Sequence, residues 1–179
     1  MGYQLVEKTL SKENIFKGRI IDVNLHDVVL PNGKKSKREV VNHPGAVAVL
    51  AVTDDEKLVL VKQFRKPLDK VIAEIPAGKL EKGEEPKACA LRELEEETGY
   101  CADHIEEIMS FYTSPGFADE IIYLYLAKGL KDGKKQTDED EFVELMEVSF
   151  SEAMNLIKAN IIHDAKTICA IQHWLLNNK

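Results

Sequence analysis

Between Gly78 and Tyr100 the chain crowds Glu84, Glu93, Glu95, Glu96 and Glu97 with one arginine (Arg92) onto and just before one short helix. Pro86 suits the first helical position, where a missing N–H costs nothing, and Gly99 suits the left-handed residue that ends a helix. At about 100° per residue, Glu93, Glu96 and Glu97 fall within roughly a third of the helix circumference. Like charges at that spacing repel by about a few tenths of a kcal/mol per pair. Clustering them makes physical sense if a cation neutralises the face. Hard carboxylate oxygens favour Mg²⁺ or Mn²⁺, and Mg²⁺ takes one or two carboxylates together with phosphate oxygens. The chemistry such a face could do is metal-assisted attack on a diphosphate. Ala90, Leu91 and Leu94 form the neighbouring apolar stripe, expected to pack on a sheet, while Glu95 points into solvent. The plainer alternative is a solvated acidic helix in which Arg92 is only the i, i+4 partner of Glu96.

Several function classes are disfavoured by the rest of the composition. At 179 residues, 44% hydrophobic and 31% charged, the chain has the profile of a soluble globular protein of ordinary domain size. A formal charge of −7 argues against bulk nucleic-acid binding. The one basic run, Gly33 to Arg38, follows an Asn32-Gly33 turn signal and reads as a hairpin tip. Cys89, Cys101 and Cys169 are odd in number and lack C-x-x-C spacing, which fits a reducing cytoplasm. No apolar run exceeds Ala46 to Val52, far short of a membrane span, and the opening residues lack a signal-peptide layout.

The elements that must position the acidic helix can be read in outline. Ile15 to Leu30 alternates as a strand, and Arg38 to Asn42 begins its return after the Asn-Gly turn. Strands are expected over 46–52, 58–64 and 71–75, the last running into Pro76-Ala77-Gly78. After the helix come strands over 105–112, 121–127 and 142–149. Two helices close the chain, the first capped by Ser151 and the second by Asp164, with Ile168, Ile171, Trp174 and Leu175 at helical spacing. The interleaving predicts an α/β fold with helices on both sides of a mixed sheet, and Trp174 in the core.

The acidic stretch fits G-x5-E-x7-R-E-U-x-E-E-x-G-U, U being bulky and apolar, with Tyr100 as an aromatic last residue. It thereby resembles the signature box of the Nudix hydrolases, which cleave a nucleoside diphosphate linked to another group. The resemblance implies an α/β/α sandwich over 43–179 preceded by a small N-terminal β region over 1–42 that pairs subunits in a homodimer. It implies metal ligation by Glu93, Glu96, Glu97 and the Ala77 carbonyl, with Arg92 orienting Glu84 and the ligating carboxylates.

Further motifs resemble the ADP-ribose pyrophosphatase branch: Gln63-Phe64-Arg65, Glu74-Ile75-Pro76-Ala77-Gly78, His43-Pro44-Gly45, Pro115 with Gly116, and the acidic run 138–144. The implied reaction is Mg²⁺-dependent hydrolysis of ADP-ribose to AMP and ribose 5-phosphate. Arg65 would fork onto the diphosphate, or else pair with Asp69 or Glu74. Glu74 would meet a ribose hydroxyl or an amine edge, or only end a strand. Glu141, assisted by Glu139, is the expected proton acceptor, with Asp138, Asp140 and Glu144 as competitors. Base recognition falls to the region of Phe16, Arg19, Ile20 and Arg38, which holds no tryptophan. Two alternatives stand beside this: the same chemistry on a nucleotide sugar or dinucleotide, and a catalytically silent nucleotide sensor. The latter is at odds with the complete R-E-U-x-E-E core.

Overall fold

The computed structural model describes residues 5–134 and 142–178. They fall into two compact units, Met1–Gly45 with Tyr112–Ile121, and Ala46–Phe111 with Ile122–Lys179.

The first unit is built on three antiparallel strands, β1 (Lys8–Lys17), β2 (Asp22–Val29) and β3 (Lys35–Asn42), in that spatial order. The expected single strand over 15–30 is therefore two. Gly18 breaks it: a Cβ there would press into the Phe16 ring and the Ile21 carbonyl, to which the Gly18 N–H donates at 2.9 Å. The second turn is the Asn-Gly turn read from the sequence, with Gly33 at φ +82°. The basic run lies on this hairpin, where Lys37 pairs with Asp27 at 2.9 Å and Arg38 with Glu7 at 2.6 Å. β1 forms an edge of the sheet and is exposed along all of its 10 residues. Residues 112–121 join this unit through β3: Asn42 Nδ2 donates to Asp119 at 2.7 Å, and the Val41 N–H donates to the Phe117 carbonyl at 2.8 Å.

The second unit carries the remaining strands: β4 (Ala46–Ala51), β5 (Lys57–Arg65), β6 (Lys70–Glu74), β7 (Ala77–Lys79), then helix α1 (Pro86–Thr98), β8 (Tyr100–Tyr112), β9 (Ile121–Asp132), β10 (Val143–Ser149), α2 (Phe150–Lys158) and α3 (Ala165–Asn177). β4 lies between β7, to which it is antiparallel, and β9, to which it is parallel, in a sheet ordered β7-β4-β9-β8. β5 is flanked by β10 and β6, both antiparallel.

Strand alternation explains the layering. Ala48 and Leu50 of β4 pack with Ala153 of α2 and Ala170, Ile171 and Trp174 of α3, whereas Val47, Val49 and Ala51 pack with Cys89, Ala90 and Leu94 of α1. A strand buried on both faces with helices on either side is the expected α/β/α sandwich on a mixed sheet. Trp174 is in the core, stacked on Phe150 at 5.1 Å. Two local expectations need correcting. α2 is capped by Ser149, not Ser151: the Ser149-Phe150-Ser151-Glu152 run closes a full capping box, in which Ser149 accepts the Glu152 N–H and Glu152 accepts the Ser149 N–H. In α1 the buried stripe is Cys89, Ala90 and Leu94, while Leu91 lies at the exposed edge.

Candidate active site

α1 begins at Pro86 and ends where Gly99 adopts φ +79° and returns its N–H to the Glu95 carbonyl at 2.8 Å. Both ends are where the sequence places them. Its acidic face is organised by Arg92. The guanidinium forks onto Glu84, Nε to Oε1 at 3.0 Å and Nη2 to Oε2 at 3.1 Å. Its Nη1 bridges Glu93 Oε1 at 2.8 Å and Glu96 Oε2 at 2.9 Å. Arg92 is thus more than an i, i+4 partner of Glu96. Three carboxylates share one guanidinium, which holds Glu84 down to about 2 and raises Arg92 above the ordinary guanidinium range, the Glu84 hydrogen bonds being the main cause of both.

Glu97 takes another path. It is 2% exposed and its Oε2 accepts the Ala77 N–H at 3.0 Å, so the last glutamate of the face is tied to the chain just before Gly78. Gly78 is required there by space, because a Cβ at that position would overlap the Glu93 carboxylate. Helix α1 and strand β7 therefore meet at a point lined by carboxylate oxygens and bare backbone. Glu95 leaves this face as expected but is not simply solvated: its Oε1 accepts the Lys134 N–H at 3.1 Å.

Among the described residues, no three His, Cys, Asp or Glu side chains stand ready-made around one point. The reason is visible in the contacts above: Glu84, Glu93 and Glu96 turn to Arg92, and Glu97 to a backbone amide. The donor set nonetheless fits a hard divalent cation. It is all oxygen, carries more negative charge than one guanidinium offsets, and opens onto backbone at Gly78.

A second charged cluster lies in the same unit. Arg65, at the end of β5, directs Nε to Glu74 Oε1 at 2.6 Å and Nη2 to Oε2 at 3.0 Å. The fork that the sequence reading offered to a diphosphate is thus engaged by Glu74, the alternative partner named there. Glu74 ends β6 buried at 2% exposure, and Lys166 of α3 also binds its Oε2. Lys166 reaches Asp164 at 2.9 Å as well, and Asp164 caps α3 by accepting the Thr167 N–H at 3.1 Å. Burial is the largest single influence on Arg65 and opposes its charge, but the hydrogen bonds and charge of Glu74, together with the charges of Glu97 and Asp164, outweigh it and raise the guanidinium. Sequence reasoning saw Asp164 only as a cap and did not consider Lys166.

Arg19, Arg38, Pro115 and Gly116 belong to the other unit. Arg19 is exposed in the turn between β1 and β2, and Arg38 is occupied by Glu7, Ser36 Oγ and the Lys37 carbonyl. Pro115 and Gly116 sit in the turn where the Phe117 and Ala118 N–H groups return to the Ser114 carbonyl. Glu139 and Glu141, with Asp138 and Asp140, lie outside the described residues; Glu144, the remaining competitor, pairs with Lys62 at 3.1 Å.

A carboxylate-bearing helix set against the glycine of β7, on a mixed sheet sandwiched between helices, fits the metal-assisted hydrolysis of a diphosphate. Residues 42–170 match the NUDIX domain, and the chain belongs to the Nudix hydrolase family. Residues 7–41 match the nucleoside diphosphate sugar hydrolase N-terminal domain. The chain is 61% identical over 174 residues to the ADP-ribose pyrophosphatase of Bacillus subtilis (strain 168), covering 96% of this chain and 94% of that protein. It is 58% identical over 178 residues to the methanol dehydrogenase activator of Bacillus methanolicus, covering 98% and 96%. In three dimensions it resembles a crystal structure of ADP compounds hydrolase, with a TM-score of 0.84 at 21% identity over 96% of this chain and 95% of the other; that likeness speaks to the fold. Nudix ADP-ribose pyrophosphatases generally depend on a divalent metal.

Proposed function

We propose that this chain hydrolyses the diphosphate of ADP-ribose to AMP and ribose 5-phosphate, with Mg²⁺ as its metal. The observation that carries the reading is the surplus of carboxylates gathered on Arg92 beside Gly78, in a chain 61% identical to an ADP-ribose pyrophosphatase. Glu93, Glu96, Glu97 and the Ala77 carbonyl would hold the ion, Mn²⁺ being able to replace Mg²⁺. When bound, the ion supplies charge neutralisation at the phosphoryl oxygens and a lowered pKa for the attacking water.

The chain's own groups do the rest. Arg92 holds Glu84, Glu93 and Glu96 in register, so the carboxylates are oriented before substrate arrives. Arg65 contributes to the diphosphate through its Nη1 edge, which among the described residues has no hydrogen-bond partner while Nε and Nη2 grip Glu74. Glu141 accepts the proton of the nucleophile, with Glu139 assisting. Arg19, Arg38, Pro115 and Gly116 are the remaining substrate contacts of this reading, the two arginines lying in the region that would recognise the base.

The active form is a homodimer in the cytoplasm. An edge strand whose residues are all exposed, including Leu10, Ile15 and Phe16, is a surface that a second copy would cover. Among the described residues no helix is long and apolar enough to cross a membrane. The match of residues 7–41 to a nucleoside diphosphate sugar hydrolase domain favours one second reading, the same chemistry on a nucleotide sugar. A panel of nucleoside diphosphate derivatives compared by kcat/KM decides between them. ADP-ribose is expected to rank first; a sugar nucleotide ahead of it by about tenfold or more transfers the assignment.

A further inference from the structure

Two cations converge on the Glu74 carboxylate, one of them shared with Asp164. A buried carboxylate needs one well-made partner, and the bidentate Arg65 pair at 2.6 and 3.0 Å already supplies it. Yet Lys166, its side chain only 11% exposed, is also placed on Glu74 Oε2. Its position leaves it little freedom. Asp164 caps α3 and holds the lysine at 2.9 Å, and Thr167 of the same turn accepts the buried Ile75 N–H at 3.0 Å, one residue past Glu74. The first turn of α3 is therefore bolted to the chain that leads into Ala77 and Gly78.

We infer that Lys166 is a positioning residue for Arg65, sharing Glu74 so that the guanidinium keeps positive charge for an anionic substrate. With Lys166 present, two cations face Glu74 and Asp164. Without it, both carboxylates would face Arg65 alone, drawing the guanidinium inward and neutralising it. Asp164 is poised to do so, because its Oδ2 is buried and has no hydrogen-bond partner among the described residues. Arg65 also feels the charge of Glu97, one of the carboxylates of the acidic face it would have to serve. The inference deepens the proposed function and rests on it for the identity of the substrate.

The test uses Lys166→Gln, which retains a hydrogen-bond donor but no charge, Lys166→Met, Lys166→Arg, and Lys166→Gln combined with Arg65→Gln. Losing the charge should raise KM for ADP-ribose by about tenfold while kcat stays within about threefold, and Lys166→Arg should recover most of the KM. On the Arg65→Gln background, Lys166→Gln should change KM by less than about twofold, because its effect passes through Arg65. An unchanged KM in folded Lys166→Gln protein, or the same rise with and without Arg65, overturns the inference. A purely structural lysine would lower Tm and leave KM in place. Calorimetric titration with inorganic pyrophosphate in Mg²⁺ separates this from the proposed function. If wild type fails to turn over ADP-ribose, that function fails, while about tenfold weaker pyrophosphate binding by Lys166→Gln still upholds the lysine's role and unchanged binding refutes it.

Discussion

Two charged clusters stand in the same compact unit, and they are built on opposite principles. Around Arg92, the carboxylates of Glu84, Glu93 and Glu96 share one guanidinium, and the cluster is partly open, with Glu96 at 40% exposure. Around Glu74, two cations meet two carboxylates, and three of the four side chains are under a fifth exposed. The second cluster is balanced and could persist for architecture alone. The first is in deficit of positive charge, and a fold does not gain by gathering like charges on a helix face unless something cationic completes them. On the proposed reading, imbalance marks the reacting centre and balance marks its support.

The largest effect should come from the unbalanced cluster. Glu97→Gln should lower kcat by at least about 10³-fold with the fold intact, since losing a metal clamp removes several kcal/mol of transition-state stabilisation. Steady-state kinetics beside circular dichroism would check it, and a loss under about tenfold would erase the distinction between the clusters.

Metal removal should also separate them. At Mg²⁺ about a hundredfold above its Kd, binding adds about 2.7 kcal/mol, worth roughly 5–10 °C in Tm for a chain of this size. Thermal melts with Mg²⁺ and with EDTA should show that gain in wild type and in Lys166→Gln, and a much smaller one in Glu97→Gln. Equal gains in all three would place the ion elsewhere.

In the balanced cluster, Thr167→Val should cost about 1–3 kcal/mol, because it leaves the buried Ile75 N–H without its acceptor. Urea unfolding reads this directly, and a neutral result would mean that the first turn of α3 does not hold the strand end.

The smallest effect is one of pH. Glu84 is held below its ordinary 4.5, at about 2, so its pairing with Arg92 stabilises the folded state fully above pH 4.5 and is lost as pH falls toward 2. Glu84→Gln should flatten the acid limb of stability over that window, as read by unfolding at several pH values. An unchanged slope would show that the pair is not formed in solution.

What could be read along the chain was what short-range physics controls. The acidic helix has its expected ends because a proline at the first turn and a glycine in the left-handed region act within a few residues. The Asn32-Gly33 turn and the Asp164 cap are local in the same sense. The misreadings were local signals overlooked: Gly18 as a break between β1 and β2, and Ser149 with Glu152 as a capping box two residues before the expected cap. Leu91 differs in kind. Periodicity put it on the apolar stripe, but the width of that stripe depends on what packs against it, and β4 receives Cys89, Ala90 and Leu94.

By itself, then, the order of residues determined the class of chemistry, since carboxylate spacing on one helical turn is a matter of helix geometry alone. Only the tertiary structure decided which cation each buried carboxylate keeps. Glu74 meets Arg65 across neighbouring strands and Lys166 from a helix 92 residues further on, and the Ile75 N–H meets Thr167 over a comparable span. No periodicity encodes such pairings, because they arise when separate elements close over one core and a desolvated charge must take whatever partner that closure delivers.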